Sequence, residues 1–402
     1  RTAWAKAIEI GRAFQLERRF DKDATLSIYL TLAPFGGAVE GVRAASLKLF
    51  GREPKLLTPA EAALLVALPQ SPNARRPDRA PAAARAARAR VLERAVAAGV
   101  VSADEAAAAN AAVLPEAYGD FPFLAPHFAE EAASAAEADG SVRTTIDAAL
   151  QALVERRMRT ALKDHAAPTT AAAIVVDAET AEIRAIVGGP DYFDRRRAGM
   201  LDMTRALRSP GSALKPFIYA LAFDRLLAAP ATLIADRPFR ETGYAPTNFD
   251  GGYAGDVTVA DALVRSLNIP AVKMLRRVGP ARFDAAFATA GLDLSYDRDG
   301  GDAGLALALG GVGLDLRDLA RAYLALAGRG AMPDRLVGRA GDRADWRPFV
   351  GQEAAADVRW ILAEAPPPAG HARGTGQGPA IAYKTGTSYG YRDALAVGMA
   401  RG

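Results

Sequence analysis

Cysteine is missing from this 402-residue sequence. Its absence excludes disulfide frameworks, thiolate zinc sites and cysteine nucleophiles. Histidine is almost missing as well, because the chain has only His127, His165 and His371, which stand far apart and form no H-x-x-x-H pair. This scarcity argues against a histidine metal site and against a Ser-His-Asp triad. We therefore interpret each histidine as a surface or packing residue.

Long apolar runs and an excess of one charge are missing too. No window of about 18 uncharged apolar residues occurs, so the sequence as given predicts no transmembrane span. The 50 basic and 46 acidic residues give a net charge of +4. That balance is too mild and too interspersed to indicate a nucleic-acid partner. The sequence begins with Arg1 inside an apparent helix, so we expect a fragment of a longer protein.

What is present is an ordinary globular composition, with 50% hydrophobic and 24% charged residues. A chain of this length predicts two to three domains. Helical apolar spacing and helix-start signals such as Thr58-Pro59-Ala60-Glu61 predict an all-α first block. Its predicted helical segments are 4–30, with a break at residues 21–22, and then 41–50, 58–68 and 85–98.

The second block mixes strands and helices. Two short β-branched runs, 171–177 and 182–187, are separated by a four-residue turn and predict a hairpin. Strands at both ends of the block, with helices between them, predict one α+β domain whose sheet is closed by its C-terminal strands. The other predicted segments are helices at 148–163, 213–227, 259–267 and 314–326 and strands at 380–384 and 394–399.

Ser212 and Lys215 stand three residues apart at the predicted start of the 213–227 helix. Residues at this spacing share one face of a helix. A serine hydroxyl needs a base to become a nucleophile, and a partly desolvated lysine amine can serve as that base. The positive end of the helix would stabilise an oxyanion formed there. Alone, however, S-x-x-K is also a common accidental pair on a helix surface.

Two further motifs follow along the chain. Ser266-Leu267-Asn268 ends a predicted helix and alone would pass for a helix cap. Lys384-Thr385-Gly386-Thr387 follows an apolar run and suits an edge strand that receives an extended acyl peptide, although a plain turn is the alternative. There Gly386 would let the substrate backbone approach, while Thr385, Thr387 and Lys384 offer donors to a carboxylate. S-x-x-K, S-x-N and K-T-G in this order form the signature of penicillin-recognising serine acyl-enzymes.

These motifs resemble the transpeptidase domain of class A penicillin-binding proteins. The run 384–393, Lys-Thr-Gly-Thr-Ser-Tyr-Gly-Tyr-Arg-Asp, is most similar to their 1C subgroup, and stretches 244–253 and 257–268 resemble bifunctional members. The resemblance covers nearly the whole chain and implies a multi-domain protein truncated at both ends. Its expected parts are an α-helical, lysozyme-like glycosyltransferase fragment of the family 51 type (1–100), a connector (101–167) and an α+β penicillin-binding/β-lactamase-like transpeptidase domain (168–402).

The resemblance also implies roles for the motif residues. Ser212 would attack the carbonyl between the last two D-Ala residues of a stem peptide, and Lys215 would take the serine proton. Ser266, with Lys384 as a further candidate, would relay a proton to the leaving D-Ala. Asn268 would hold the substrate amide and Lys215.

The remaining roles concern substrate binding. Thr385, Gly386 and Thr387 would bind the substrate, and the backbone N–H groups of Ser212 and Thr387 would form the oxyanion hole. No cofactor or metal is implied for this acyl transfer.

The N-terminal helices resemble the later part of the family's glycosyltransferase. Lys6-Ala7-Ile8-Glu9, preceded by Arg1, is similar to an R-K-x-x-E motif, with Ala5 in place of the usual Arg. The run from Lys22 to Leu30 is similar to K-x-x-x-L-x-x-Y-L-N, with Thr31 where Asn is usual.

Arg85, Arg88 and Arg90-Val91-Leu92 are similar to the closing R-R-x-x-V-L element. Lys6, Arg1 and Arg90 would then contact a pyrophosphate. From the residues alone, these groups could equally be the solvated basic faces of helices.

The resemblance implies that the glycosyltransferase's general-base Glu and its G-G-S-T-x-T-Q-Q loop belong upstream of Arg1. We therefore expect that this chain does not polymerise glycan by itself. The resemblance leaves room for a divalent metal ion in a complete glycosyltransferase domain.

The implied partners are lipid II, glycan strands with D-Ala-D-Ala stem peptides, and β-lactam antibiotics, but no nucleic acid. A missing N-terminal anchor would hold the protein at the periplasmic face of the bacterial inner membrane. Two alternatives stay open: a D,D-carboxypeptidase or β-lactamase-type hydrolase on the same fold, and a non-catalytic penicillin-binding scaffold.

Overall fold

The computed structural model describes residues 3–121, 123–134, 141–241, 244–296, 304–366 and 381–400. The chain divides into two compact units, Arg1–Phe123 (unit 1) and Leu124–Gly402 (unit 2). Arg1 and His371, which the sequence analysis considered, lie outside the described residues. Within the described ranges, no helix is long and apolar enough to cross a membrane.

Unit 1 is mainly helical and buries two small apolar clusters. Its best-defined helix start is the predicted one at Thr58, whose hydroxyl accepts from the backbone N–H of Glu61 while the Glu61 carboxylate accepts from the N–H of Thr58 at 2.8 Å. Such a cap stabilises a helix by about 1 kcal/mol. The helices are α1 (Ala3–Glu17), α2 (Lys22–Leu32), α3 (Val42–Phe50), α4 (Pro59–Ala67), α5 (Pro81–Ala97) and α6 (Ala103–Ala111).

The prediction that unit 1 is all-α is wrong at one place. A short antiparallel hairpin, β1 (Pro34–Gly36) and β2 (Val39–Glu40), follows α2. Gly36 and Gly37 have φ values of 106° and 62°, a region that favours glycine, so the chain can reverse where a loop was predicted. Phe35 anchors the hairpin in the core. These strands are too short to give an alternating sequence pattern.

The segment 101–167, expected to be a connector, is divided between the two units. The helix α6 packs against α4 and α5, because its small alanines allow close approach. The following helices of the segment belong to unit 2, where the second of them packs against a strand and lies where a helix was predicted. The two helices are α7 (Pro126–Ala133) and α8 (Ala148–Ala161).

Unit 2 surrounds one fully buried helix, α9 (Lys215–Asp224), in which every residue from Lys215 to Phe223 is buried. Such a helix is apolar all round because other elements cover every face. Phe217 makes edge-on ring contacts with three other aromatic residues of the core. The other helices of the unit are α10 (Val259–Val264), α11 (Asn268–Val278), α12 (Pro280–Thr289), α13 (Leu316–Ala327) and α14 (Gln352–Ala363).

The strands of unit 2 form antiparallel pairs. The predicted hairpin is present as β3 (Ala173–Val176) and β4 (Ile183–Val187), and the predicted C-terminal strands are β9 (Ala382–Thr387) and β10 (Ala394–Met399). Two further antiparallel pairs are β5 (Leu233–Asp236) with β6 (Gly255–Thr258), and β7 (Ala331–Pro333) with β8 (Trp346–Pro348).

The expected closure of one sheet by the C-terminal strands is not observed among the described residues, where β9 and β10 pair only with each other. Residues of both β3 and β10 line one pocket of about 120 Å³. Its walls include Ile174 and Val176 on β3, Val397 on β10 and Tyr323 on α13. The helix α13 packs against both strands.

Candidate active site

The turn that carries Ser212 is a 3₁₀ segment, Gly211–Leu214, which leads directly into α9. The backbone N–H of Lys215 donates to the carbonyl of Ser212, which is the i to i+3 bond of a 3₁₀ turn. Side chains three residues apart eclipse each other in this geometry, so Ser212 and Lys215 lie on the same side. Their predicted shared face is present, although the helical turn is tighter than expected.

Neighbouring elements fix this turn. The hydroxyl of Ser209 donates to the carbonyl of Gly310 at 2.6 Å, and the buried hydroxyl of Tyr323 donates to the carbonyl of Ala213 at 2.7 Å. The bond from Tyr323 satisfies a carbonyl of the turn itself, and the bond from Ser209 ties the residues just before the turn to the loop of Gly310. The serine is therefore held on a rigid support, between a buried helix and a packed loop.

The Lys215 side chain is fully buried and reaches the S-x-N motif. Its Nζ donates to the carbonyl of Ser266 at 2.7 Å and to Oδ1 of Asn268 at 2.6 Å, and it lies 3.4 Å from Oγ of Ser266. Burial, and after it the positive charge of Lys384, hold the pKa of Lys215 well below its usual value. A lysine in these surroundings loses its proton more readily than an exposed one and is a better base for that reason.

The S-x-N motif lies in the turn between α10 and α11 and not at the end of a single helix. Ser266 has a φ of 57°, an uncommon left-handed conformation for a residue with a side chain. This backbone turns the Ser266 carbonyl and hydroxyl toward the same amine, which a continuing helix could not do. Asn268 then begins α11.

The K-T-G-T segment lies on β9, as predicted. Lys384 and Gly386 are buried, and Thr385 and Thr387 are exposed on the opposite face of the strand. Burial lowers the pKa of Lys384 from 10.5 to about 8, so this lysine keeps most of its positive charge at pH 7. Because the charge of Lys384 helps to lower the pKa of Lys215, the third motif lies close to the first. The two threonines are accessible donors next to that charge.

Glycines allow β9 to pack directly on the turn of Ser212. A Cβ atom on Gly386 would lie 2.1 Å from the carbonyl oxygen of Pro210, and one on Gly211 would lie 2.4 Å from the carbonyl oxygen of Thr387. A Cβ atom on Gly310 would in turn lie 2.3 Å from the nitrogen of Gly211. These contacts explain Gly386 by protein packing, whereas the sequence analysis explained it by the approach of a substrate backbone.

One of the two predicted oxyanion donors already has an acceptor within the protein. The backbone N–H of Ser212 donates to the carbonyl of Pro210 at 2.8 Å. An oxyanion bound at Ser212 would therefore have to replace this acceptor. Thr387 is the last residue of β9 and faces Ala394 across the hairpin.

The sequence analysis missed several residues that support the site. Thr247 and Asn248 bind Asn268 from a loop 20 residues upstream, and Gly310 and Tyr323 fix the turn of Ser212. The stretch 244–253 had been noticed only for its resemblance to bifunctional family members. Nothing in the local pattern of these residues predicts their partners, because each contact joins distant parts of the chain.

The glycosyltransferase-side residues do not form a comparable cluster. Lys6 and Glu9 make an exposed ion pair of 3.0 Å on α1, and Lys22 pairs with Glu17 at 2.7 Å. Arg90 is exposed on α5. In the described part of unit 1, no contact joins Lys6, Lys22 and Arg90.

Arg88, from the same R-R-x-x-V-L-like segment, has a structural role. It is buried and donates to the carbonyls of Asn110 and Ala112, both at 2.8 Å. These bonds tie α5 to the end of α6, because both carbonyls lie at that end.

The histidines behave as packing and surface residues where they are described. His127 is buried, with Nε2 at 2.7 Å from the carbonyl of Gly199, and His165 is exposed. Within the described ranges, no three His, Cys, Asp or Glu side chains are grouped so that they could hold a metal ion.

Comparison with protein families gives two matches. The family described as Transglycosylase matches residues 1–96, and the penicillin-binding protein transpeptidase domain matches residues 171–397. Among curated proteins, the chain is 41% identical to penicillin-binding protein 1C of Escherichia coli over 99% of its own length. It is 30% identical to penicillin-binding protein 1F of Bacillus subtilis over 82% of its length. The chain covers 51% and 48% of these relatives, so it spans about half their length.

Solved structures share the fold. The crystal structure of penicillin-binding protein 1A from Haemophilus influenzae matches 94% of this chain and 79% of that chain, with a TM-score of 0.56 and 19% identity. PonA1 of Mycobacterium tuberculosis in complex with penicillin V matches 69% of this chain and 82% of that chain, with a TM-score of 0.57 and 22% identity.

The transpeptidase match covers more than half of the chain and contains all three motifs gathered around Lys215. The transglycosylase match precedes it in the order that the sequence analysis expected. With these two domains and 41% identity to a 1C relative, the chain belongs to the class A penicillin-binding proteins.

Proposed function

We propose that unit 2 is a serine D,D-transpeptidase that cross-links peptidoglycan stem peptides through an acyl-enzyme on Ser212. One observation carries the proposal: a fully buried lysine amine lies one 3₁₀ turn from Ser212 and within hydrogen-bond reach of both Ser266 and Asn268. A serine, a base with a lowered pKa and a second hydroxyl near that base are the groups that acyl transfer needs.

In the acylation step, neutral Lys215 takes the proton of Ser212 as Oγ attacks the carbonyl carbon between the two D-Ala residues. A tetrahedral oxyanion forms, and the C–N bond to the terminal D-Ala then breaks. Lys215 returns the proton, through the hydroxyl of Ser266, to the nitrogen of the departing D-Ala. The amine of a second stem peptide attacks the ester and releases Ser212, with the same groups acting in reverse.

Charge recognition belongs to β9 in this proposal. The substrate carboxylate needs donors in the groove, because a desolvated charge without a partner is costly. Thr385 and Thr387 are exposed hydroxyls on one face of β9, and Lys384 adds positive potential. The strained ring of a β-lactam carries a similar carboxylate and leaves no departing group to diffuse away. Penicillins should therefore trap the ester on Ser212.

The substrates and the location of the reaction belong to the same proposal. The acyl donors and acceptors are the D-Ala-D-Ala stem peptides of glycan strands, and the reaction takes place at the periplasmic face of the inner membrane. We propose that unit 1 belongs to a peptidoglycan glycosyltransferase that uses lipid II, on the strength of its family match over residues 1–96. Serine acyl transfer itself requires no cofactor.

The test is covalent labelling with penicillin. Mass spectrometry of the treated protein should show one adduct, on the peptide that contains Ser212. Ser212→Ala should abolish the adduct, and Ser134→Ala, which removes an exposed hydroxyl of the same unit, should retain it. An adduct that persists in Ser212→Ala would contradict the assignment of the nucleophile.

The same protein separates the alternatives. A non-catalytic scaffold would give no acyl-enzyme with a D-Ala-D-Ala thioester or with penicillin. A carboxypeptidase or β-lactamase would release the acyl group only to water. A transpeptidase should transfer it to an added amine such as a D-amino acid, and the ratio of amide product to acid should rise with the amine concentration.

A further inference from the structure

A fully buried carboxylate lies outside the three motifs. Asp236, at the end of β5, is 0% exposed. Its two oxygens accept from Nδ2 of Asn248 at 2.8 and 2.9 Å, and one of them also accepts from the backbone N–H of Ala254 at 2.7 Å. Burial of an ionised carboxylate is costly unless donors surround it. Here the donors come from one loop, so Asp236 organises residues 248–254.

Asn248 connects this loop to the S-x-N motif. It is 5% exposed, and its Oδ1 accepts from the backbone N–H of Asn268 at 2.8 Å and of Ile269 at 3.3 Å. These are the first two N–H groups of α11, whose N-cap residue Leu267 offers no side-chain acceptor. Asn248 therefore caps the helix from a distant loop and satisfies donors that would otherwise be buried without partners.

The residue before Asn248 holds the side chain of Asn268. Nδ2 of Asn268 donates to the carbonyl of Thr247 at 2.7 Å, while Oδ1 accepts from Nζ of Lys215 at 2.6 Å. An amide has its donor and acceptor on opposite sides. Fixing the donor on Thr247 therefore aims the oxygen at Lys215. Two consecutive loop residues thus hold both the backbone and the side chain of Asn268.

From these contacts we propose that Asp236 and Asn248 are positioning residues of the acyl-transfer site, which hold Asn268 so that its Oδ1 faces the amine of Lys215. The inference rests on the proposed transpeptidase function. It adds residues that touch neither Ser212 nor the substrate groove in the observed contacts. A shift of about 1 Å in a positioned group can cost about 10²-fold in rate.

Displacement of Asn268 should also change the pKa of Lys215. The groups that face the Lys215 amine are Ser266 and Asn268 from the α10–α11 turn and the cation of Lys384 from β9. Oδ1 of Asn268 is an acceptor that favours the ammonium form. Its displacement should lower the pKa of Lys215 further. The acidic limb of the acylation rate against pH should then move to lower pH.

The first variant is Asn248→Asp. It keeps the shape of the side chain and an acceptor for the N–H of Asn268, but it places a second carboxylate against Asp236. Two carboxylates at this distance cannot both ionise comfortably. We expect the rate constant of acylation by penicillin to fall about 10- to 100-fold.

The second variant exchanges the pair, as Asp236→Asn with Asn248→Asp. It restores one amide and one carboxylate with the donor reversed, and a carboxylate at the start of α11 is favourable. It loses the bond that Nδ2 of Asn248 also donates to the carbonyl of Gly252 at 2.9 Å. The exchange should recover the rate to within about threefold of the wild type and return the pH profile, as expected for restored positioning. Failure to recover either property would overturn the proposal.

The matched control is another buried amide–carboxylate pair in unit 2. Nε2 of Gln151 donates to Glu155 at 2.8 Å, and both residues are buried in α8. Gln151→Glu makes the same charge change, so it should lower stability without altering the acylation rate or pH profile of the folded protein. If Gln151→Glu lowered the acylation rate equally, the effects at Asp236 and Asn248 would be explained by loss of stability, and the proposal would fail.

Two outcomes remain distinct. If the wild-type protein is not acylated on Ser212, the proposed function fails. If it is acylated and Asn248→Asp reacts at the wild-type rate, only the present inference fails. Should Asn248→Asp not fold, Asp236→Asn replaces it. In that variant we expect a fall of about 3- to 10-fold and an acidic limb at lower pH, and an unchanged rate would count equally against positioning.

Discussion

Lysines that match family motifs occur in both units, but their surroundings differ. The side chains of Lys6 and Lys22 in unit 1 are 60% and 86% exposed, and each pairs with one glutamate. Lys215 and Lys384 in unit 2 are 0% and 4% exposed. Water screens the first pair, whereas burial makes the ammonium form of the second pair costly. Motif spacing is therefore common to both units, but only the motif lysines of unit 2 are buried.

The difference has a tertiary origin. In unit 2 the amine of Lys215 meets oxygens from a turn more than 50 residues further along the chain. In unit 1 the contacts of Lys6 and Lys22 are to residues three and five positions away. A lysine becomes a candidate base where the fold removes water and supplies acceptors from distant segments. The predictions below test this contrast.

Removal of the amine of Lys215 should have the largest effect. Lys215→Met keeps most of the side-chain volume and deletes the base, so acylation of Ser212 by penicillin should slow about 10²- to 10⁴-fold. Rates can be measured with a fluorescent penicillin. Lys163→Met, at an exposed position of the same unit, is the control and should react at the wild-type rate. If Lys215→Met reacts as fast as that control, burial has not made Lys215 the base.

Loss of the Thr387 hydroxyl should have a smaller effect. Thr387→Val keeps the β-branched shape and deletes a donor to the substrate carboxylate. A hydrogen bond to a charged group is worth about 1.5–3 kcal/mol, so acylation efficiency should fall about 10- to 150-fold. A carboxyl-esterified penicillin analogue should show little difference between the two proteins. An equal loss with the ester would mean that the substitution damaged the fold and not recognition.

The buried charge of Lys384 should make stability depend on pH. Its pKa is about 8 in the folded protein against an ordinary value of 10.5, so between these values the unfolded chain binds more protons. Stability contributed by this group therefore rises from pH 8 to about 10.5 and is lost as the pH falls through 8, by about 3 kcal/mol in total. Lys384→Met should flatten that part of the profile.

The measurement for Lys384 is denaturant unfolding of both proteins at pH 7 and pH 10. The wild type should gain more free energy of unfolding between the two pH values than Lys384→Met gains. Lys384→Met also removes the charge that helps to lower the pKa of Lys215, so the difference between the two proteins reports the coupled pair of buried lysines. If the free energies of unfolding of the two proteins changed equally with pH, Lys384 would be hydrated in solution. Only Lys215 would then differ from the exposed lysines of unit 1.

The exposed pair in unit 1 should have the smallest effect. Lys6→Gln deletes the ion pair with Glu9, an interaction worth about 0.2–0.5 kcal/mol on a helix surface. The change in the free energy of unfolding should stay within that range and shrink at 1 M salt, and acylation of Ser212 should not change. A loss above about 1 kcal/mol that resists salt would show a partner beyond Glu9 and would weaken the contrast.

Local signals explain most of the correct predictions. Thr58 and Glu61 adjoin in sequence, so the capping box could be recognised from four residues, and the β3–β4 hairpin followed from two β-branched runs around a turn. The β1–β2 hairpin was missed because its strands have two and three residues. The expected closure of the sheet was wrong because pairing between strands from distant segments leaves no local pattern in the sequence.

The sequence by itself determined which residues are candidates for chemistry. Ser212, Lys215, Ser266, Asn268 and Lys384 could be selected because short motifs in a fixed order are readable without coordinates. Only the tertiary structure decided that Lys215 is buried away from water and that Gly386 packs against Pro210. It also decided that Asn248, itself bound to Asp236, holds Asn268 by a hydrogen bond. Desolvation and hydrogen bonding depend on which distant groups surround an atom, and spacing along the chain does not specify them.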